Sequence, residues 1–428
     1  MSSRTTSPRS PGAGGARHGW LQALGTVLAG LVAMGVVASL GLWAAGATDL
    51  PDHAFPRVVT ATVVTAVGGA LELSGDAGGF ADTDAGLTVL PLSVTLAGAL
   101  VIAWGFLRPL RHRAVAGVPE LAGWAGRIAV LWLLALLALA FAARQTFEVS
   151  LGEGLLDELG DLFGVTPTVG FTTDVPLTVL FGLLWLAGVL VLALLVSPGA
   201  PLPGRLSRTR TSVRPAAYAM TALLLACVVV GGVAGLVVAG TQGHPVDTFA
   251  VLLLGLPNLA WLAFTIGLGA TWDGRVEGPF GLPMPHVLDE VLRTPDVSAL
   301  NLGTLTDHDG RWWWLLVAAA ALLLAAGCVL ASRSPAGTPA WLHAVRMAVA
   351  LALTVLMVGL LGRISAHYGL SVLGIGDLGG GLSGQLFLRP RLWSAVGLAL
   401  LWGLVTGFIG ASLARWAGRR RGRSAAGS

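Results

Sequence analysis

The 428-residue chain is 55% hydrophobic and only 11% charged, with a mean hydropathy of +0.79, whereas a soluble domain is roughly one-quarter charged. That balance excludes a soluble globular protein and makes the bilayer the solvent. All 26 basic residues are Arg, and the net charge of +4 conceals a strong asymmetry along the chain.

Residues 1–19, rich in Ser, Pro, Gly and Arg, read as a disordered basic tail. The apolar run from Trp20 to Gly46 is longer than the roughly 7–15 residues of a signal-peptide core, although "AGA" at 45–47 has the look of a cleavage site. Seven further stretches have the roughly 20 apolar residues that a helix needs to cross about 30 Å of hydrocarbon: 87–107, 121–143, 175–196, 216–240, 312–331, 341–361 and 392–414. One more, Thr248 to Trp272, is apolar for 25 residues with Pro257 and Asn258 at its midpoint.

Charge sorts these segments. Arg4, Arg9 and Arg17 precede the first span, Arg108, Arg111 and Arg113 follow the second, and Arg205, Arg208, Arg210 and Arg214 follow the fourth; Arg415, Arg419, Arg420, Arg421 and Arg423 form the last tail. The positive-inside rule places all of them in the cytoplasm, and the acidic residues, Glu120 excepted, then fall on the other side. A ninth span would put the basic tail outside. The segment 248–272 is therefore expected to dip in and return, with its turn at Gly255-Leu256-Pro257-Asn258, because Pro lacks a donor and disfavours helix at the residue before it. Backbone leaving a helix at that depth needs protein or water around it.

The expected fold is an all-α polytopic bundle of about eight transmembrane helices plus one re-entrant segment, with both termini in the cytoplasm of a bacterial cell. Its two tandem halves, 20–196 and 216–414, are joined by the Arg-rich linker 197–215 and flanked by the tails 1–19 and 415–428. Local spacings support a repeat with the halves in the same orientation. "AGATDLPDHAF" at 45–55 resembles "AGTQGHPVDTF" at 239–249, and Arg127 and Arg144 bracket a span with the same 16-residue gap as Arg346 and Arg363.

Three stretches, "TLAGALVIAWGFLRPLR" (95–111), "LLGLPNLAWLAFTIGLGATW" (253–272) and "GLSVLGIGDLGGGLSGQ" (369–385), resemble the streptophobe family of multi-pass actinobacterial membrane proteins. The resemblance implies a class and a location in the cytoplasmic membrane. It carries no activity and no functional residues.

No CxxC, HExxH, GxxxxGK[ST] or GxSxG motif occurs, so no catalytic residue, metal site or cofactor is assigned. "ADTDAG" (81–86) and "TDHDG" (306–310) have acidic spacing faintly like a calcium loop but lack its downstream Glu. The binding candidates are Pro257, Asn258 and Trp261 in the apolar segment, with Asn258 expected to satisfy backbone groups freed by the turn. Arg144 and Arg363 are candidates for an outer vestibule holding an anionic headgroup or solute, with interfacial anchoring as the plainer role. His244 with Asp247 is a candidate proton-linked gate, and "EVSLGEGLLDELGDLF" (148–163) reads as an amphipathic surface helix. Close-packing steps such as Gly231 to Gly235 and Gly403 to Gly407 predict helix contacts, within the chain or between chains. Membrane lipids are the expected partners, with other envelope proteins or self-association through Gly-rich faces; nothing points to nucleic acid. A permease-like conduit or a lipid-facing scaffold is the leading functional expectation, and a transferase acting on a lipid-linked substrate the alternative.

Overall fold

The computed structural model describes residues 13–49, 54–69, 71–76, 81–112, 118–148, 168–197, 207–241, 245–276, 292, 297–335, 337–372 and 384–425. In chain order the first half contains α1 (Ala13–Ala44), α2 (Phe55–Ala66), β1 (Leu71–Asp76), β2 (Ala81–Thr88), α3 (Leu92–Leu107), α4 (Val118–Ala142), β3 (Gln145–Glu148), β4 (Thr168–Thr173) and α5 (Val175–Val196). The second contains α6 (Ser207–Thr241), α7 (Pro245–Gly267), β5 (Trp272–Val276), β6 (Ser298–Leu300), α8 (Leu302–His308), α9 (Trp314–Arg333), α10 (Ala340–Leu361), β7 (Ile364–Val372), β8 (Gly384–Pro390) and α11 (Leu392–Ala425). The order of helices and strand pairs is the same in both halves, with α8 as the addition in the second.

Among the described residues, eight helices are long and apolar enough to cross a membrane. Their outward faces carry bare apolar side chains, such as Val32 (63% exposed) and Leu184 (64%), which water would penalise and acyl chains accept. The protein is a multi-pass integral membrane protein with an α-helical bundle. Contact between helices rests on small residues, since lipid supplies no hydrophobic drive to bring them together. A side chain on Gly231 would meet Leu256 and Ala260, one on Gly235 would meet Leu252, and one on Gly403 or Gly407 would strike the backbone of α10 at Ala348 or Ala344. The glycine steps therefore serve contacts within this chain, α6 on α7 and α10 on α11.

The expected all-α fold contained no sheet. Among the described residues, eight strands form one antiparallel sheet in the order β3-β4-β1-β2-β7-β8-β5-β6. β1, β3, β5 and β7 each follow a helix C-terminus, and their partners lead back towards helix N-termini, so the sheet caps one end of the bundle. The central ladder between β2 and β7, from Ala81 opposite Val372 to Thr88 opposite Ser365, joins the halves. "ADTDAG" accordingly is strand, and an extended ladder cannot wrap a cation. "TDHDG" closes α8, with Asp309 accepting from the Arg311 amide at 2.9 Å. The expected surface helix at 148–163 lies outside the described residues after Glu148.

Two expected elements take a different form. The stretch 87–107 is not a full-length helix: Leu87 and Thr88 end β2, and Pro91 precedes α3, which has only 16 residues. Proline fixes its own φ and pushes Leu90 away from helix. At 1.5 Å per residue α3 spans about 24 Å against about 37 Å for the 25-residue α4, and Leu92 and Val94 at its start are buried. The second correction concerns 248–272. No hairpin turn forms at Gly255–Asn258; α7 runs unbroken from Pro245 to Gly267 with Pro257 inside it.

The contacts of α7 nevertheless keep both its ends at the sheet end. Its Leu253 and Leu254 lie against Gly41, near the C-terminus of α1, and Gly267 lies against Leu315 and Ala319 in the first turns of α9. On one face Leu262 and Ile266 join a cluster with Trp272, Ala366, Leu386 and Leu388 of the strands. On the other, Ala260, Trp261, Phe264 and Leu268 pack into the helical core with Leu323, Met347 and Leu351. A helix about 34 Å long thus lies obliquely between sheet and bundle, and the chain returns through Gly269, which adopts a positive φ of 92°, into β5.

Candidate functional site at a helix break

Two short helices meet inside the first half. α2 has 12 residues and ends at Ala66, followed by Gly68 at a φ of 97°. A Cβ on Gly68 would come within 2.9 Å of Phe181, so glycine answers both the left-handed backbone and the close approach. Across the break, Thr95 in the first turn of α3 donates its hydroxyl to the Ala66 carbonyl at 2.6 Å.

The start of α3 is completed from the other half. Asn258 on α7 accepts from the Leu92 amide through Oδ1 at 3.1 Å and donates Nδ2 to the Leu90 carbonyl at 2.9 Å. One of the unpaired donors that every helix N-terminus exposes is thereby satisfied by a side chain more than 160 residues away. The expectation that Asn258 serves freed backbone groups holds in kind, but those groups belong to α3, not to a turn of its own.

Ser93 repays the contact. Its hydroxyl donates to the Leu252 carbonyl at 3.0 Å and accepts from the Leu256 amide at 3.1 Å, the two groups that an ideal helix would bond to each other. The hydroxyl therefore bridges the α7 ladder one residue before Pro257. Pro257 has no N–H, and its ring crowds the carbonyl four residues back; an inserted polar side chain is one of the recognised ways a helix accommodates the resulting distortion. This is why proline does not break α7. Thr178 at the start of α5 is fully buried beside Gly69, with its hydroxyl unpartnered among the described residues.

The junction therefore holds neutral hydroxyls, one amide and backbone carbonyls, an inventory suited to hydrogen bonding a solute rather than to proton transfer. Among the described residues no group of three His, Cys, Asp or Glu is placed to hold a metal ion.

The other expected residues are dispersed. Trp261 is buried one turn beyond Pro257 and donates its indole N–H to the Leu224 carbonyl of α6 at 3.1 Å, locking α7 to its neighbour. Arg144 is exposed between α4 and β3, its guanidinium 5.1 Å from the Phe141 ring. Arg363 is exposed just before β7. Three strands separate β3 from β7, so at about 4.8 Å per strand the two arginines stand more than about 19 Å apart and form no joint anion site. Asp247 is exposed in the first turn of α7; His244 lies outside the described residues.

Sequence reasoning missed Ser93, Thr95 and Thr178. The signal available was "PLSVT" at 91–95, a proline followed by two hydroxyl residues, which marks a helix start within what otherwise reads as a span.

At the sheet end a two-pronged ion pair ties β5 to α11: Arg391 donates from Nε and Nη2 to the Asp273 carboxylate at 2.8–3.0 Å. The hydrogen bonds and charge of Asp273 raise the Arg391 pKa further above its ordinary value, so the guanidinium stays charged at any working pH. Comparison with protein-family models, curated proteins and solved structures finds no match, so the geometry alone carries the functional reading.

Proposed function

We propose that this integral membrane protein is a permease-like conduit whose path runs through the junction of α2, α3 and α7. The observation that carries the reading is the meeting of two short helices inside the bundle, beside the proline-containing helix that occupies the corresponding place in the other half. Transporters build midplane sites from interrupted helices at matching positions of two repeats, because helix ends offer backbone groups to a solute where lipid would not. The repeated order of elements supports an origin by duplication. The arginine distribution supports a sheet facing outward and both tails in the cytoplasm of a bacterial cell. Membership of the streptophobe family rests on the three resembling stretches.

Cysteine accessibility tests the conduit. In a chain with Cys227 and Cys328 replaced by Ala, cysteines at Ser93, Leu252 and Asn258 react with a small membrane-impermeant thiol reagent from one side of the membrane if a water path reaches them. A scaffold keeps all three inert while an exposed control at Val297 reacts. The scaffold reading has one specific observation in its favour: both polar ends of Asn258 are satisfied and both faces of α7 are packed.

A further inference from the structure

We propose that a groove between α1 and α3, at the end of the bundle opposite the sheet, binds one chain of an anionic phospholipid and holds its phosphate on Arg108. The proposal is independent of the conduit reading, since the groove lies at the far end of α3 from the helix break.

The cavity there has a volume of about 630 Å³, within the roughly 300–1,000 Å³ of small-ligand sites. Besides Gln22, Trp104 and Trp124, its lining includes Gly25, Ala29, Val101 and Gly105, whose side chains are too small or too short to fill the space. The one hydroxyl in the wall, that of Thr26, is already spent on the Gln22 backbone carbonyl at 3.0 Å, so apart from the Gln22 amide and Arg108 the lining is mainly apolar. The groove is flanked by exposed Leu21, Leu24 and Leu28 of α1, a helix long enough to span the bilayer, and by exposed Leu100 of α3. Acyl chains are the surrounding solvent, and a chain lying in the groove recovers the dispersion contacts that an empty space forfeits.

Charge decides which lipid. Arg108 lines the groove at the end of α3, where the span stops, and its guanidinium sits 5.3 Å from the centre of the Trp104 ring. This cation–π contact helps to place the planar fork, whose N–H groups can bind phosphate in pairs. A second guanidinium adjoins the mouth: Arg127 of α4 rests against Gly19, one turn before Gln22 on α1. The residues lining the groove include no acid. Two cations and an apolar slot complement a headgroup of net negative charge, such as that of phosphatidylglycerol, better than a zwitterionic one.

Native mass spectrometry of the full-length protein with equimolar phosphatidylglycerol and phosphatidylcholine tests this. The wild type should carry phosphatidylglycerol in about five-fold excess, the factor that one basic residue near an anionic surface supplies. Arg108→Gln should bring the two lipids close to parity. Gly25→Leu should lower the binding of both, because its side chain points into open space, with no atom within 4 Å of a Cβ there, and fills the slot without a clash. Ala29→Phe provides a second block, and wild-type thermal unfolding in detergent certifies each variant as folded. Selectivity unchanged in Arg108→Gln, or lipid binding unchanged in both slot-filling variants, overturns the proposal.

Discussion

Thr95 donates its hydroxyl to the carbonyl of Ala66 at 2.6 Å, so a single side chain closes the gap between the end of α2 and the start of α3. Both residues are buried. Thr95→Val keeps the shape and removes the donor, and should destabilise the protein by about 1–3 kcal/mol, the cost of a buried carbonyl left short of a partner. Unfolding in detergent at wild-type temperature would show that the bond contributes nothing.

The serine bridge in α7 makes a coupled prediction. Ser93→Ala alone leaves the Leu256 amide and the Leu252 carbonyl without the hydroxyl and should cost about 1–3 kcal/mol. In a Pro257→Ala background the helix can close its own ladder, so the same serine substitution should cost much less. A double-mutant cycle measures the difference, expected at about 0.5–3 kcal/mol for groups in one network; additive effects would mean that Ser93 does not compensate for the proline.

Two glycines in one helix should respond in opposite directions. A Cβ on Gly407 would lie 2.8 Å from the Ala344 Cα, whereas one on Gly397 meets nothing within 4 Å. Gly407→Ala should force α10 and α11 apart and cost about 1–3 kcal/mol, while Gly397→Ala should be neutral or stabilise by up to about 1 kcal/mol through helix propensity. Denaturant titration of each variant reads the sign directly.

The oblique course of α7 fixes a labelling pattern. In the same cysteine-free background, cysteines at Val246 at the start of α7 and Val297 beyond it should both react with an impermeant reagent applied from one side, and Ser332 at the other end of α9 only from the opposite side. Reaction of Val246 and Val297 from different sides would make α7 a full crossing.

How much of this was legible follows from what bilayer physics demands of a sequence. Apolar length announces a helix because every backbone group in lipid must be satisfied within the segment, and so most spans and the small-residue contacts at Gly231, Gly235, Gly403 and Gly407 could be read. The turn at Pro257 was misread because the compensation comes from Ser93, over 160 residues away, and no local pattern carries it. The sheet escaped for a related reason: "ADTDAG" and "FTT" lack the alternation of a half-buried strand, and their pairing depends on partners in distant loops. Asn258 was visible as a polar residue in an apolar run. What it caps was not.

The ladder between β2 and β7 has a mechanical consequence. Eight consecutive residue pairs link the halves at the sheet end, and shearing them would break a row of backbone hydrogen bonds at once. A relative motion of the halves that keeps these pairs must therefore turn about this seam as a book turns about its spine, releasing the α3–α7 hydrogen bonds and moving furthest at the opposite end of the bundle.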